Sequence, residues 1–419
     1  MNIEQLYKLY TETYLVDTDT RKIRKGSIYF ALKGENFNGN KFAVEALNNG
    51  ANYAIIDEDE FNTHKSCILV ENVLETLQQL ANFHRQKLNI PIISLSGSNG
   101  KTTTKELINA VLSEKYKTTA TFGNLNNHIG VPLTLLTMTP STEIGIVEMG
   151  ANHLKEIDSL CKIALPNFGY ITNFGKAHLE GFGSVEGIIE GKSELYDFLR
   201  NNNGIAFVNS DDELQIKQSN GINFVSFNKN SIQFIGANPF VKVQFKNTII
   251  ESKLIGKYNF NNIAAAIIIG NYFKVSEEQI KKAIESYIPR NNRSQIIEKG
   301  TSKIILDAYN ANPSSMQAAL ENFNELHDTN KVVILGDMFE LGNESENEHQ
   351  KIAELATSFN FQKVFLIGKA FSTTHVKNAF IYDSFEGFKT SNKNLTIENT
   401  TILIKGSRGM ALERILDLF

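Results

Sequence analysis

Residues 92–112 constrain the fold most, because they join two different structural periods through a glycine-containing loop. Residues 92–95 are an apolar run of the kind that forms a buried strand. After the loop, apolar residues recur at the spacing of an amphipathic helix, at Leu107, Ile108, Val111 and Leu112. A strand, a glycine loop and a helix in this order begin a nucleotide-binding unit of an α/β fold.

The loop itself reads Ser96-Gly97-Ser98-Asn99-Gly100-Lys101-Thr102-Thr103-Thr104. Backbone N–H groups of such a loop, with the N-terminus of the helix, face phosphate anions. The glycines allow close approach, Lys101 reaches the terminal phosphates, and the Thr102 hydroxyl holds Mg²⁺. Leu95 stands where the general G-x-x-x-x-G-K-[ST] pattern has its first glycine, and a plain glycine turn with an exposed lysine is the alternative. The flanking strand and helix favour phosphate binding.

At 419 residues the chain exceeds what one hydrophobic core usually organises, which predicts two or three domains. Short apolar runs alternate with helical stretches along it. The predicted strands are 27–32, 53–56, 67–70, 92–95, 145–147, 168–172, 204–208, 224–227, 303–306, 332–335, 364–367 and 401–404. We interpret this as an α/β protein with a small α/β domain (1–89), a central parallel-sheet domain (90–289) and a doubly wound, Rossmann-like domain (290–419).

Composition argues against two classes of partner. The formal charge of −4 leaves no basic surplus with which to neutralise a nucleic-acid backbone. The longest apolar run, 263–269, is far shorter than the roughly 20 residues that span a bilayer, and residues 1–10 lack the apolar core of a signal peptide. The two cysteines, Cys67 and Cys161, lie far apart, which favours a reducing compartment. We therefore expect a cytoplasmic protein that binds neither nucleic acid nor membrane.

Three residues outside the loop are candidates for chemistry. Glu148 closes an apolar run, so its carboxylate would emerge at a strand's carboxyl end and suit a metal ion; a solvated glutamate is the competing interpretation. His178 follows the run 168–172 and, taken alone, is more often structural than a ligand. Lys192 falls on the apolar stripe of a predicted helix, where it must snorkel, find an anion, or lose its proton and become reactive. On position alone, snorkelling is favoured.

In the last third, Asp307-Ala308-Tyr309-Asn310-Ala311-Asn312-Pro313 leads from a strand into a helix. Asn312 suits the N-cap and Pro313 the first helical position. Asp307 and Asn310 are placed where a ligand would meet the sheet, with a role in the turn alone as the alternative.

These motifs resemble, in one order and over essentially the whole chain, those of the Mur ligase family. The segments Asp307 to Pro313 and Leu335-Gly336-Asp337-Met338-Phe339-Glu340-Leu341-Gly342 are similar to the branch that handles D-alanyl-D-alanine, and the Asp-Asn-Pro-Arg run of the diaminopimelate- or lysine-adding branch is absent. The other matching runs are Gly97 to Thr103, Asn126-Asn127-His128-Ile129-Gly130-Val131-Pro132, Glu148-Met149-Gly150-Ala151, the His178 loop, Gly191-Lys192-Ser193-Glu194-Leu195 and Asn259-Phe260-Asn261-Asn262-Ile263-Ala264-Ala265.

The resemblance implies an ATP-dependent ligase that joins D-alanyl-D-alanine to a UDP-N-acetylmuramoyl-tripeptide during peptidoglycan precursor synthesis. The first domain would bind the UDP-linked substrate, the central one ATP, and the last one the incoming amine. Lys101, His178 and Lys192 would be catalytic, and Thr102, Glu148, His178 and a carbamylated Lys192 would surround Mg²⁺. The implied nucleotide contacts are Gly97, Ser98, Asn99, Gly100, Lys101, Thr102, Thr103, Asn127, Asn262, Arg293, Asp307 and Asn310. The implied UDP-substrate contacts are Thr20, Arg21, Lys33, Gly34, Phe37 and Gly39.

Two positions depart from the family pattern, since Thr20 stands where serine is common and Asn292 precedes Arg293 where glycine is usual. A related amide ligase with another amine, of the Mur or folylpolyglutamate type, is one alternative, and a non-catalytic P-loop nucleotide switch is another. We expect a monomer. For His349, on a charged helix after Gly342, a solvated side chain is the expectation.

Overall fold

The computed structural model describes residues 1–289, 292–392 and 398–418, and within them the chain forms three α/β domains that follow one another in sequence. In the first domain a four-stranded parallel sheet, in the order β1-β2-β5-β6, carries helices on its faces, and β3 and β4 form a separate hairpin. Its strands are β1 (Val16–Asp17), β2 (Ile28–Phe30), β3 (Lys33–Gly34), β4 (Phe37–Asn38), β5 (Tyr53–Ile56) and β6 (Cys67–Leu69), and its helices are α1 (Ile3–Tyr10), α2 (Ala43–Asn48) and α3 (Val73–Leu88).

Helix α3 ends the first domain and packs on the second. The Asn72 side chain caps its N-terminus by accepting from the amide of Glu75, and Asn89 ends it in a left-handed conformation with φ of 47°. Its buried face, which includes Leu77 and Leu80, belongs to a core cluster that continues into the second domain. The domain boundary proposed near residue 89 therefore falls at a capped helix end.

The middle domain has a six-stranded parallel sheet in the order β12-β11-β10-β7-β9-β8 and a three-stranded antiparallel sheet, β13-β14-β15. Its strands are β7 (Ile92–Ser96), β8 (Thr118–Ala120), β9 (Ile144–Glu148), β10 (Phe168–Ile171), β11 (Ile205–Asn209), β12 (Asn223–Phe227), β13 (Ile232–Ala237), β14 (Phe240–Phe245) and β15 (Thr248–Ile255). Its helices are α4 (Lys101–Ser113), α5 (Gly130–Leu135), α6 (Glu156–Ala164), α7 (Leu179–Phe182), α8 (Val185–Asn201), α9 (Glu213–Gln218), α10 (Phe260–Tyr272) and α11 (Glu277–Ser286).

The third domain has a six-stranded sheet in the order β16-β17-β21-β18-β19-β20, parallel except for the antiparallel pair of β16 with β17. Its strands are β16 (Gln295–Lys299), β17 (Ser302–Asp307), β18 (Lys331–Gly336), β19 (Lys363–Ile367), β20 (Phe380–Tyr382) and β21 (Thr401–Lys405), and its helices are α12 (Pro313–Glu325), α13 (Ser345–Ser358) and α14 (Phe385–Ser391). The proposed boundary near residue 289 lies between α11 and β16.

Each predicted strand is present, with ends shifted by one or two residues. The strands that were not predicted are β1, β3, β4, β8, β13 to β15, β16 and β20. The antiparallel sheet is the largest of these omissions, although β14 alternates buried and half-buried residues from Phe240 to Phe245, which is the period-two signal of a strand.

The sheet order of the middle domain determines which loops meet. Strand β7 lies between β9 and β10, with Leu95 in register with Glu148 and Ser96 with Ile171. Because the three strands are parallel, the glycine loop, Glu148 and the loop after Ile171 emerge side by side at the carboxyl edge of the sheet, where ligands bind in open α/β sheets.

No helix among the described residues is both long enough and apolar enough to span a bilayer.

Candidate active site

The glycine loop after β7 is shaped by close backbone contacts at its two glycines. Gly97 has φ of +127°, and a Cβ there would lie 2.1 Å from the Thr172 hydroxyl. Gly100 has φ of +83° and begins α4, and its Cβ would lie 2.6 Å from the Asn262 side-chain oxygen. No L side chain fits either position without displacing neighbours. The loop therefore needs glycine at both places, as the phosphate-loop prediction requires.

Lys101 folds back over this loop. Its Nζ donates to the carbonyl of Gly97 at 2.6 Å and to that of Ser98 at 3.2 Å. Burial holds the pKa of Lys101 below the usual lysine value, and the charge of Arg293 lowers it further, whereas Glu148 raises it. The ammonium thus lies within the loop, where a terminal phosphate group would be bound if the N–H groups of the loop face phosphate.

Glu148 lies beside the Thr102 hydroxyl at the end of β9. Its Oε1 accepts from Thr102 Oγ1 at 3.2 Å and from Asn126 Nδ2 at 2.9 Å. Its Oε2 is buried and has no hydrogen-bond partner in the part of the chain that the structure describes. A buried carboxylate oxygen without a partner is costly, and it fits a hard cation such as Mg²⁺, which prefers oxygen ligands. These residues therefore fit the predicted metal.

The other two residues of the predicted metal site, His178 and Lys192, are each hydrogen-bonded to a group other than Thr102 or Glu148. His178 precedes α7 with φ of +56°, lines the same cavity, and pairs through Nδ1 with Glu340 of the third domain. Lys192 lies behind the cavity wall, where its Nζ donates to the carbonyl of Ala151 at 2.8 Å and sits 4.8 Å from the centre of the Phe182 ring.

Lys192 is 0% exposed, so the snorkelling interpretation is wrong. Burial holds the pKa of Lys192 well below the usual value, and the charge of Lys101 adds to this. Among the described residues, no group of three or more His, Cys, Asp or Glu side chains surrounds a common point. A metal here would accordingly need further oxygen ligands from a bound nucleotide or water.

The third domain supplies the opposite wall. The Arg293 guanidinium lies 3.7 Å from the centre of the Tyr309 ring, and Asp307 Oδ2 accepts from Lys405 Nζ at 2.6 Å. Lys405 also donates to the backbone carbonyl of Asn310 at 3.2 Å. Lys405, which was not predicted, therefore joins the predicted Asp307 and Asn310, and the predicted Arg293 lines the same cavity.

These residues enclose one cavity of about 1030 Å³ between the middle and third domains. The predicted residues that line it are Ser98, Asn99, Gly100, Lys101, Thr102, Thr103, Asn127, Glu148, His178, Asn262, Arg293, Asp307 and Asn310. Residues that line it without having been predicted include Asn126, Tyr258, Tyr309 and Lys405. Lys405 ends the apolar strand β21 as Glu148 ends β9, so the same strand-end argument would have found it.

The six residues predicted to hold the UDP-linked substrate lie in the first domain, outside this cavity. Thr20 and Arg21 form a 3₁₀ turn, and Lys33 in β3 pairs with Asp57 at 3.0 Å. The half-exposed Phe37 ring stacks on Phe42 with centres 5.4 Å apart. Gly34 shares the hairpin with Lys33 and Phe37, and at the end of that hairpin a Cβ on Gly39 would lie 2.5 Å from the carbonyl of Leu32. The hairpin and turn present cations and one aromatic face to solvent.

A second cavity, of about 630 Å³, opens at the carboxyl edge of the sheet in the third domain. Its lining includes the acidic side chains of Asp337, Glu340 and Asp383 and the basic side chains of Lys369 and Arg414. Glu180, from α7 of the middle domain, also lines it. The two cavities thus lie on either side of the contact between His178 and Glu340.

His349 corrects the sequence interpretation, since its side chain is 0% exposed rather than solvated. Its Nε2 accepts from the amide of Met338 at 2.9 Å, and its Nδ1 donates to the carbonyl of Ser345 at 2.7 Å. Burial lowers the pKa of His349. The ring is therefore a neutral internal support for the loop after β18.

A parallel sheet with a phosphate loop, facing a Rossmann-like domain across a closed cleft, defines a nucleotide-dependent enzyme of the ligase type. Three family models match the chain: "Mur ligase family, catalytic domain" over residues 12–90, "Mur ligase middle domain" over 95–270, and "Mur ligase, glutamate ligase domain" over 292–411. The chain therefore belongs to the Mur ligase family.

Similar proteins agree over nearly the full length. UDP-N-acetylmuramoyl-tripeptide–D-alanyl-D-alanine ligase of Bacillus subtilis is 35% identical, over 97% of this chain and 93% of that protein. The structure of MurF from Acinetobacter baumannii superposes with a TM-score of 0.84 at 29% identity, covering 96% of this chain and 92% of the other. MurF ligase from Thermotoga maritima, in complex with ADP, gives a TM-score of 0.84 at 27% identity and covers 97% and 96%.

Proposed function

We propose that this protein joins D-alanyl-D-alanine to a UDP-N-acetylmuramoyl-tripeptide, with ATP converted to ADP and phosphate, in peptidoglycan precursor synthesis. One observation carries the proposal: the glycine loop, the Glu148 carboxylate, Arg293 and the Asp307–Lys405 pair line one cavity between two domains. One oxygen of that carboxylate has no hydrogen-bond partner among the residues that the structure describes. The names of the relatives support the choice of substrates.

Amide formation in water needs an activated carboxyl group, since a carboxylate is a poor electrophile. Transfer of the γ-phosphoryl group to the terminal carboxylate of the tripeptide makes an acyl phosphate, and attack by the dipeptide amine then releases phosphate. Lys101 offsets negative charge on the transferring oxygens from its position over the loop. Mg²⁺, held by Thr102 and Glu148 with His178, would supply further charge neutralisation at the same oxygens.

Enclosure by the third domain protects the acyl phosphate. Asn312 Nδ2 donates to Asn99 Oδ1 at 2.7 Å, and the Ser314 hydroxyl accepts from the amide of Lys176 at 3.0 Å. Both contacts close the cleft beside the phosphate loop. A closed cleft excludes water, which would otherwise hydrolyse the activated carboxyl group.

The second cavity is our candidate site for the dipeptide. D-Alanyl-D-alanine carries an ammonium group at one end and a carboxylate at the other. Asp337, Glu340 and Asp383 can pair with the ammonium, and Lys369 and Arg414 with the carboxylate. Glu340 also contacts His178 of the first cavity, so the amine would lie next to the activated carboxyl group.

The UDP-linked substrate is assigned to the first domain through Thr20, Arg21, Lys33, Gly34, Phe37 and Gly39. Arg21 and Lys33 offer cations for the diphosphate, and the open face of Phe37 offers a surface for the uracil ring. Since three domains of one chain supply all of these sites, we propose that the enzyme acts as a monomer. We propose that it works in the cytoplasm.

Lys192 is proposed to be carbamylated. Its neutral amine is favoured by burial, and it can attack the carbon of CO₂, forming the N–C bond and releasing one proton to water. The product would be an anion, which a divalent cation held by Thr102 and Glu148 would stabilise. Carbon NMR of protein in labelled bicarbonate should show a carbamate signal that Lys192→Ala lacks. No Lys192-dependent signal, or full activity of Lys192→Arg, would remove the carbamate from the proposal.

The proposed reaction is tested by phosphate release. Release from ATP should require both the UDP-muramoyl-tripeptide and D-alanyl-D-alanine, because the chemistry depends on a filled and closed cleft. Lysine or diaminopimelate as the amine should give background rates. Equal turnover with either of them would assign the enzyme to another branch of the family, and release without any acceptor would indicate a nucleotide switch.

A further inference from the structure

One contact between the middle and third domains reaches a proposed metal ligand. Glu340, in the loop between β18 and α13, pairs through Oε2 with Nδ1 of His178. The backbone is joined at the same place, because the amide of Glu180 donates to the carbonyl of Glu340 at 3.3 Å. Since Nδ1 of His178 is engaged by Glu340, Nε2 is the ring nitrogen that remains for a ligand in the cavity.

Two side chains hold the backbone of this loop in place. The amide of Met338 donates to His349 Nε2, and the amide of Phe339 donates to the Ser407 hydroxyl, both at 2.9 Å. His349 is in turn fixed by its Nδ1 hydrogen bond to the carbonyl of Ser345. Successive amides are thus bonded to buried side chains immediately before Glu340, which restricts the direction in which Glu340 leaves the loop.

Glu340 itself has φ of +62°. A residue with a Cβ is disfavoured in this left-handed region and persists there only where its surroundings impose the conformation. The bonds to His349 and Ser407 impose it here. Such locally unfavourable conformations concentrate at functional sites. The loop therefore holds the Glu340 carboxylate in a fixed position, against the His178 ring.

We propose that Glu340 is a positioning residue that orients His178 toward the metal from across the domain boundary. The inference rests on the proposed function, in which His178 is a metal ligand. A carboxylate bonded to the second nitrogen of a ligating histidine fixes the tautomer and the ring direction. Because Glu340 belongs to the third domain, His178 is oriented only when that domain is docked. Closure and completion of the metal site are then one event.

The chain offers a matched control in Glu348. This second carboxylate of the third domain accepts a hydrogen bond from Lys176 Nζ at 3.2 Å. Lys176 lies two residues before His178 in the sequence. From α13, Glu348 joins the same two domains without contacting a proposed metal ligand. If Glu340 acts only by holding the domains together, Glu348→Ala and Glu340→Ala should have similar effects. If it positions His178, only Glu340→Ala should weaken the metal site.

The first experiment titrates Mn²⁺ by electron paramagnetic resonance into full-length protein with a non-hydrolysable ATP analogue, without dipeptide. We expect Glu340→Ala to weaken Mn²⁺ binding by about 10-fold or more, as removal of such partners does in metalloproteins. Glu348→Ala should stay within about twofold, and Glu340→Gln, which keeps an acceptor oxygen, should be intermediate. Unchanged affinity in Glu340→Ala, or an equal loss in Glu348→Ala, would overturn the proposal.

The second experiment needs no metal. Nitrogen NMR of ¹⁵N-histidine protein, with the ATP analogue bound and His178→Gln used for assignment, reports which ring nitrogen carries the proton. Wild type and Glu348→Ala should show the proton on Nδ1 of His178, and Glu340→Ala a mixture of tautomers. A mixture of His178 tautomers already present in the wild-type protein would mean that Glu340 does not fix the ring, and it would overturn the proposal. Wild-type protein that binds no Mn²⁺ but keeps the fixed tautomer would instead count against the proposed function.

Discussion

The middle domain meets its two neighbours through interfaces of opposite character. Towards the first domain, Leu77 and Leu80 of α3 belong to one continuous core with Leu135 of α5, and Arg85 caps α6 by donating to the carbonyls of Ala164 and Leu165, both at 3.0 Å. Towards the third domain the contacts beside the cleft are hydrogen bonds and ion pairs, formed by Asn99–Asn312, Lys176–Glu348, Lys176–Ser314 and His178–Glu340. The apolar contacts there are those of Ile255, which joins the core of the third domain, and of Leu179 and Phe240, which pack against that core.

The difference indicates which interface opens. Separating the first interface would expose apolar side chains of the shared core, including Leu77, Leu80 and Leu135, to water, which is costly. Polar groups of the second interface can exchange their partners for water at small cost. We therefore expect the first two domains to move as one body, and the third to dock and leave during turnover.

The largest expected effect is a loss of turnover without a loss of stability, in variants of the glycine loop beside the second interface. Lys101→Ala and Thr102→Ala should each lower turnover by about a thousandfold, because they remove charge stabilisation and a metal ligand. Their thermal unfolding should match wild type. Lys117→Ala, which removes an exposed lysine of the same domain, is the control for charge and should retain full activity. Near-normal rates in either loop variant would exclude the loop from the mechanism.

The next effect is on stability at the first interface. Arg85→Met keeps the aliphatic stem but removes the hydrogen bonds to Ala164, Leu165 and Asn167, and it should lower the free energy of unfolding by about 3 kcal/mol. Urea unfolding followed by far-ultraviolet circular dichroism measures this. Arg24→Met, which removes a surface arginine paired with Asp17, should cost about 1 kcal/mol or less. Equal losses would show that the hydrogen bonds of Arg85 at the first interface stabilise the protein no more than a surface ion pair does.

The first interface should also depend on pH through His84. The ring is 0% exposed, its Nε2 donates to the carbonyl of Met138 at 2.9 Å, and burial lowers its pKa below the ordinary 6.5. The unfolded chain then binds the proton more readily, so stability is complete above pH 6.5 and falls as the pH drops below it, by at most about 1.4 kcal/mol per pH unit for one proton.

Urea unfolding of wild type and His84→Gln at pH 7 and pH 5.5 tests this dependence. The glutamine keeps a side-chain donor for Met138 and cannot titrate, so its stability should change less between the two pH values. His349 is buried in the third domain and contributes a similar slope to both proteins. Identical slopes for wild type and variant would mean that folding does not lower the pKa of His84.

The smallest effect is expected at the ion pair of the second interface. A double-mutant cycle with Lys176→Ala and Glu348→Ala should give a coupling of about 0.5 kcal/mol in unfolding, because Lys176 is nearly half exposed and Lys351 also pairs with Glu348. The same variants should increase the radius of gyration in solution scattering, since opening becomes easier. A coupling of several kcal/mol would show that this interface does not open.

The sequence predicted every strand of the parallel sheets apart from short or edge ones, because strands buried on both faces appear as continuous apolar runs. It also predicted the phosphate loop, whose glycines are required locally by Thr172 and Asn262. The sequence analysis wrongly expected His349 to be solvated. The charges on α13 show that one face of the helix is solvated, but they do not show which face His349 occupies. Lys405 and Tyr309 were missed although both follow the strand-end pattern.

What the sequence by itself determined is local: the succession of strands along the chain, the glycine loop, the family, and the place of Lys192 on an apolar stripe. It did not determine that Lys192 is buried rather than snorkelling. What only the tertiary structure decided is which distant groups meet. Glu340 and His178 are separated by 162 residues and belong to different domains. Their contact depends on the packing of β18, α13 and α7 together, and no local pattern encodes the relative position of two separately folded sheets.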